Sequence, residues 1–450
     1  MPRLFIHVFL RAFYFHYSLL FFSPRLCVSA VRGFCYSNKV RHALKILIAP
    51  DSFKGTLSAL EAARAIELGI KRVLPDANTQ CLPLADGGEG TLDALLFATP
   101  GERKTARVTD ANGDLIEASY GLLLSDPENC APALLPLPSR ERVGERGSAT
   151  PSPLAVLEAA QVVGLTQARI KVAQRTTRGL GELLQQCLDQ GARRFLIGLG
   201  GSSTNDGGAG LLAALGVRLL DARGNAIEPS PHGLAALDHV DFSALDARLA
   251  ECEITVLTDV DNPLCGPKGA TAVFGPQKGV LPEQVTMFDQ AIAQLARLCD
   301  AWAGSAVSQQ AGAGAAGGLG YALMLLGAKR RPGAEVVCET MQLDTHLRDA
   351  DWLITGEGKS DAQTLHGKLP LVAANHAQAA RVPAILLSGV IAVESRVLLE
   401  QKFVGCFSVV GDEVSLDEAM RDPARRLTDR SESVARWIAR FYSSNESNAE

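Results

Sequence analysis

The chain has 450 residues, 47% of them hydrophobic and 21% charged, with a formal net charge of -5. That is an ordinary soluble composition, long enough for two domains with full cores. The acidic balance and the lack of a basic stripe argue against nucleic acid as a partner. Ten scattered cysteines without a C-x-x-C spacing indicate neither a disulfide framework nor a zinc site, and fit a reducing cytoplasm.

Residues 1–43 differ from the rest. Phe, Tyr and Leu dominate Leu4 to Phe22, but His7, Arg11 and His16 interrupt the run. A membrane span needs roughly 20 nearly uninterrupted apolar residues, so no membrane association is expected. A weak targeting segment is one reading. The favoured one is a misassigned start, because the first regular strand begins at Leu44 and no Met lies between Met1 and Met287.

From Leu44 the pattern becomes strand, polar loop, helix. Leu44–Ala49 reads as a buried strand, Pro50–Thr56 as a loop, and Ser58–Leu74 as an amphipathic helix capped by Ser58 with Glu61. Gln80–Leu84 is a second strand that ends in Ala85-Asp-Gly-Gly-Glu-Gly-Thr91. This alternation predicts a parallel α/β sheet, with ligands beyond the carboxyl ends of its strands. Residues 103–121 alternate around Asn112-Gly113, a hairpin signal. That change predicts an inserted domain over 100–289, within a Rossmann-like domain built from 44–99 and 290–442. Pro127–Pro153 is rich in Pro, Arg and Ser and is expected to be a disordered insertion. Residues 443–450 are expected to form a polar tail.

The densest signal is Gly198-Leu-Gly-Gly-Ser-Ser-Thr-Asn-Asp-Gly-Gly-Ala-Gly210, between the apolar run Arg194–Leu199 and a helical pattern from Leu211. Glycine at that density can turn N–H groups inward to make an anion nest, with a helix N-terminus pointing at the same place. Gly200, Gly201, Ser202, Ser203, Gly207 and Gly208 are therefore candidate phosphate contacts. A tight turn capped by Asn205 or Asp206 is the bland alternative. Gly312, Gly314 and Gly317 match G-x-G-x-x-G but follow no strand, so the dinucleotide reading fails. Close packing, or a phosphate seat that includes Gly314, Gly317 and Gly318, remains.

Asp51, Asp86, Glu89, Asp206, Asp259, Asp261, Glu357 and Asp361 each occupy a glycine- or proline-flanked loop just after an apolar strand. Several carboxylates in one cleft repel unless cations join them. Mg²⁺ is the usual solution, and Lys54, Lys278, Lys359 and Lys368 are the candidate positive side chains. Acidic loops, lysines and glycine nests together fit phosphoryl transfer.

Six stretches resemble the type 1 glycerate kinase family. They are Ile48–Ser58, Asp86–Thr91, Gly200–Gly208, Asp259–Gly266, Phe274–Gly279, and Ile354–Gly358 with Asp361–Lys368. The resemblance covers about Leu44 to Tyr442. Ser203, Lys359-Ser360 and Ala362 depart from the family pattern. The resemblance implies two α/β domains with the site in the cleft between them, and ATP-dependent phosphorylation of D-glycerate to 2-phosphoglycerate in glyoxylate or glucarate breakdown. Asp206 or Asp361 is then the candidate base, with Lys54 as a third catalytic group. Asp51, Ser52, Lys54, Asn205, Lys278 and His366 are candidates for holding glycerate. Gly356, Gly358, Lys359 and Lys368 join the phosphate contacts, and Asp86, Glu89, Asp259, Asp261 and Glu357 the Mg²⁺ ligands. A homodimer is compatible with this reading. A kinase of another small hydroxy acid, or a non-catalytic sugar-acid sensor, is the alternative.

Overall fold

Two sheets organise the molecule. The first contains β1 (Lys45–Ile48) and β2 (Asn78–Cys81). The second takes β3 (Gly101–Thr109), β4 (Leu115–Leu123), β5 (Leu154–Glu158), β6 (Arg194–Gly198), β7 (Glu253–Leu257) and β8 (Lys329–Arg331). The chain then returns to the first sheet with β9 (Trp352–Thr355), β10 (Ala384–Ser388) and β11 (Gly405–Ser408). This computed structural model describes residues 43–123 and 152–446. The expectations for residues 1–42, for the part of the Pro127–Pro153 insertion up to residue 151 and for 447–450 lie outside the described residues.

The first sheet is parallel throughout, in the order β11-β10-β9-β1-β2. Counted along the chain within that sheet, the order is 2-1-3-4-5, the flavodoxin-like form of the doubly wound sheet. Its direction of growth reverses between β1 and β9, so a crevice opens beyond their carboxyl ends. The strands alternate by period two. Ile46 and Ile48 meet Trp352, Ile354 and Leu387 on one face, under helices Ala59–Val73 and Pro423–Glu446. Leu47, Leu353 and Leu386 face the other way. Helix Ala59–Val73 starts as predicted: the Ser58 hydroxyl accepts from the Glu61 N–H at 3.2 Å, and the Glu61 carboxylate accepts from the Ser58 N–H at 2.8 Å.

The second sheet is mixed, in the order β8-β7-β6-β5-β4-β3, with β3 and β4 antiparallel around the predicted turn, where Gly113 has φ +90°. Its outer face packs on helices Arg178–Asp189, Ala209–Ala214, Val285–Ala303 and Leu319–Leu325. The return point expected at residue 290 falls inside helix Val285–Ala303, and the chain stays with this sheet through β8. Periodicity identifies a helix but not which sheet its apolar stripe meets. The terminal helix, Pro423–Glu446, continues into the expected tail.

The inner faces of both sheets share one core. Leu47, Leu353 and Leu386 from the first sheet join Val156, Leu196 and Leu257 from the second, through Leu92, Leu95, Val336 and Val337 of the intervening helices. From Leu44 on, the chain accordingly forms a single compact unit. Among the described residues no helix is long and apolar enough to cross a membrane.

Candidate active site

The loops that leave β1 and β9 lie back to back at the switch point. The Asp51 N–H donates to the Gly356 carbonyl at 2.8 Å. Gly358 lies so close to the first loop that a Cβ there would stand 3.3 Å from Phe53 Cα and from the Lys54 nitrogen. The loop after β2 comes in from the side, and a Cβ on Gly200 would lie 2.8 Å from Gly88 Cα. Three strand exits of the first sheet and the rim of the second therefore border one cleft.

Four carboxylates meet there. Asp86 is central: its Oδ2 lies 3.5 Å from Lys54 Nζ, and its Oδ1 accepts from the Gly88 N–H at 3.1 Å. Burial, then the Asp86 charge, hold the Asp51 carboxyl well above the usual carboxylate range, against the pull of Lys54. Desolvation and again Asp86 push Asp259 up to about 6. Burial also raises Glu357, opposed by hydrogen bonds from Thr364 at 2.6 Å and Ser360 at 3.0 Å and by Lys368 at 3.8 Å. Lys54 is held above its ordinary value mainly by Asp86. Lys54 thus stands among several charges of the opposite sign, an arrangement that favours further cationic ligands.

Ser52, Lys54, Asp361, Lys359 and Lys368 line the same cavity of about 590 Å³ as Asp51 and Glu357. Asp361 pairs with Lys359 at 3.4 Å and accepts from the Gln363 N–H at 2.9 Å. His366 ends the adjoining short turn Thr364–His366, and its side chain lies outside the described residues. Glu89 is exposed on the neighbouring recess, beyond Lys54. Asp261 turns away and pairs with Arg330. Glu357 already accepts from two hydroxyls and faces Lys368, so it shapes the loop rather than offering a free carboxylate. Among the described residues, no three His, Cys, Asp or Glu side chains are set to hold a metal ion by themselves.

The glycine-dense loop is placed differently from its expectation. Gly200 and Gly201 are exposed at the cleft rim, but everything from Ser202 to Gly210 is buried. Asp206 is fully buried, and its carboxylate accepts from the Thr177 N–H and hydroxyl, both at 2.8 Å, and from the N–H groups of Gly208 and Gly210 at 3.0 and 3.1 Å. Burial raises its pKa and these four bonds oppose the rise. Oδ2 takes three of these bonds and Oδ1 one, so the structure places Asp206, expected as a base, as a buried anchor for helix Ala209–Ala214. Lys278 lies under the same loop, donating to Ser202 Oγ at 3.1 Å and the Thr204 carbonyl at 2.8 Å, and burial pushes it down to about 7. Asn205 donates to Thr271 Oγ1 at 3.0 Å, and Ser203 to the Val163 carbonyl at 2.9 Å. Neither Asn205 nor Lys278 faces the cleft as a glycerate contact.

Gly314, Gly317 and Gly318 are close-packing positions. A Cβ would lie 2.4 Å from the Pro263 carbonyl oxygen, 2.0 Å from that of Thr204 and 2.4 Å from Gly207 Cα. With buried Gly207 and Gly208, considered as phosphate contacts, they form the contact between two loops. Residues that the sequence did not single out also shape the site. Ser388 Oγ lies 2.7 Å from Ser360 Oγ. Buried Arg175 donates to the carbonyls of Ser203 and Lys278 at 3.0 and 2.9 Å. Buried Glu158 accepts from the Leu92 N–H at 2.8 Å. Each sits in an ordinary loop or strand end without a motif, so only the fold reveals it.

Comparison with known proteins agrees with this architecture. A family model described as the glycerate kinase family matches residues 46–439. A glycerate kinase of Bacillus subtilis (strain 168) is 41% identical over 401 residues, covering 88% of this chain and 98% of the relative. A glycerate 2-kinase of Escherichia coli (strain K12) is 38% identical over 400 residues, with 88% and 98% covered. The crystal structure of a protein provisionally named glycerate kinase 2, from Salmonella typhimurium LT2, superposes with a TM-score of 0.72 at 40% identity, covering 89% of this chain and all of that one. The chain, with its paired α/β sheets and acidic cleft, belongs to the glycerate kinase family.

Proposed function

We propose that the chain transfers the γ-phosphoryl group of ATP to D-glycerate, giving 2-phosphoglycerate and ADP. The observation that carries this reading is the Lys54–Asp86 pair at the switch point, with Asp51, Asp259 and Glu357 around it. Asp51 is the group to accept the proton of the substrate hydroxyl. It is buried, its carboxyl Oδ1 is oriented by the Ser52 N–H at 2.6 Å, and its raised proton affinity suits a general base. As the hydroxyl oxygen bonds to the γ-phosphorus, the bond from phosphorus to the β-bridging oxygen breaks and ADP leaves. Lys54 sits where it can meet the glycerate carboxylate, while Lys359 and Lys368 offset phosphate charge from the other loop.

The donor set fits a divalent cation. Asp86 and Asp259 lie close enough to raise Asp259, and Mg²⁺ is commonly held by one or two carboxylates plus phosphates, so three protein ligands are not required. When bound, Mg²⁺ would supply charge neutralisation at the phosphates. The scattered cysteines support placing this reaction in a reducing cytoplasm.

The test is ADP release with ATP and D-glycerate, with the product's phosphorylated carbon identified by NMR. Turnover with tartronate or hydroxypyruvate but not D-glycerate overturns the substrate assignment. Asp51→Asn should lower kcat by about 10²–10⁴-fold with little change in KM, as for a group that acts mainly in the transition state. Unchanged kcat removes Asp51 from the role of base.

A further inference from the structure

Besides its lysines and carboxylates, the switch-point cavity has an apolar lining. Val390, Val409 and Val410 enter from the exits of β10 and β11, and Leu416, Ala419 and Met420 from helix Leu416–Arg421. Leu416 and Met420 are four residues apart and share one face of that helix, and they are 54% and 52% exposed. The helix is fixed by its own capping box: Ser415 Oγ accepts from the Glu418 N–H at 3.3 Å, and the Glu418 carboxylate accepts from the Ser415 N–H at 2.9 Å. The apolar wall is therefore built before any ligand arrives. None of these six side chains carries a hydrogen-bonding group.

The same cavity thus combines two cationic side chains, Lys359 and Lys368, with an apolar wall on helix Leu416–Arg421. A molecule with a polyanionic tail and a flat, weakly polar head fits that combination. Resting on the kinase reading above, we propose that this apolar wall is the nucleobase subsite, and that it holds purines by contact alone. A wall without side-chain donors or acceptors loses little when exocyclic groups are exchanged, whereas a site built to hydrogen-bond a base rejects the wrong one by about 10⁴-fold or more. The enzyme therefore accepts several purine nucleoside triphosphates. The recess on the other side of Lys54, which includes Phe97 at 48% exposure, lacks Lys359 and Lys368 and is not the nucleobase site.

Steady-state kinetics and calorimetric ATP binding on the full chain test this. GTP and ITP should support glycerate-dependent turnover with kcat/KM within about tenfold of ATP. Met420→Glu and Leu416→Glu should each raise KM for ATP by about tenfold or more, while KM for D-glycerate moves less than about twofold and the thermal melt is unchanged. Phe97→Glu should leave KM for ATP unchanged. A preference of about 10³ or more for ATP over ITP overturns selection by contact alone. Unchanged ATP affinity in both helix variants, or a loss in Phe97→Glu instead, overturns the subsite. Absence of turnover with D-glycerate in the wild type is failure of the kinase reading. Calorimetry still decides the subsite in that case, since ATP that binds wild type and Met420→Glu equally is not seated there.

Discussion

Asp51 and Asp206 occupy similar contexts in the sequence, each on a short polar loop just after an apolar strand, yet their surroundings differ. Asp51 has one main-chain donor and a line of sight to Lys54 and Asp86, so its charge is unsettled and open to a ligand. Asp206 has four internal donors and is fully buried. Asp206→Asn should therefore act on stability. The amide can accept but cannot satisfy all four donors, which costs about 1–3 kcal/mol, visible as a lower urea midpoint. The protein that remains folded should keep its kcat. A normal melt with strongly reduced turnover would return Asp206 to the chemistry. The strand-exit pattern identified Asp51, Asp86, Asp259 and Glu357, because strand ends converge whatever their neighbours. It could not separate them from Asp206 or Asp261, because hydrogen bonds to residues 29 and 69 positions away decide those fates.

Among the elements, helix Pro423–Glu446 shows what pattern reading misses. Its buried stripe runs Leu427, Ser431, Val434, Ala435 and Ile438, and the small polar residue breaks the apolar signal. Ser431 is there because helix Ala59–Val73 passes very close: a Cβ on Gly69 would lie 2.3 Å from the Thr428 carbonyl oxygen and 2.6 Å from Ser431 Cβ. Thr428 Oγ1 donates to the Ala65 carbonyl at 3.0 Å across the same contact. Gly69→Ala, otherwise favourable inside a helix, should thus cost about 1–3 kcal/mol by forcing the helices apart, measurable as a lower Tm. An unchanged or raised Tm would show that the pair has room to yield. A second junction is polar. His376 of helix Leu369–Ala379 contacts Asp344 at 2.7 Å and Glu335 at 3.2 Å, tying together three helices. Burial lowers its pKa, and the two carboxylates more than reverse that, leaving it raised. A raised histidine stabilises fully below its unfolded pKa of about 6.5, and the contribution is lost as pH rises through the folded value. The stability difference between wild type and His376→Gln should narrow as pH rises above the ordinary histidine value of about 6.5, read from urea midpoints. A difference that stays constant with pH would mean that the imidazolium is not the holding group.

At the scale of the whole molecule, the question is whether two sheets make two folding units. Sequence grammar suggested two domains because it registers changes in local pattern. It does not register that Leu92, Leu95, Val336 and Val337 lie in one apolar cluster with residues of both sheets. A core shared in this way couples the sheets, because neither inner face stays covered if the other leaves. The three tryptophans report on the coupling from different sides. Trp302 stacks on Phe242 at 3.9 Å beside the second sheet, while Trp352 is fully buried in the first sheet, with Trp437 edge-on at 5.7 Å. A protein that keeps only Trp302, with phenylalanine at 352 and 437, and one that keeps only the other two, with phenylalanine at 302, remove different aromatic contacts. Each is therefore compared with its own near-UV and far-UV signals. Within each protein, fluorescence and backbone circular dichroism should give one common urea midpoint, as two-state unfolding requires. Leu92→Ala, in the shared core at 1% exposure, should then lower the midpoint seen by either tryptophan set together, by about 2–5 kcal/mol. If Leu92→Ala shifted the Trp352 and Trp437 transition and left that of Trp302 in place, the sheets would unfold independently. The cleft between them would then be a hinge rather than a rigid seam.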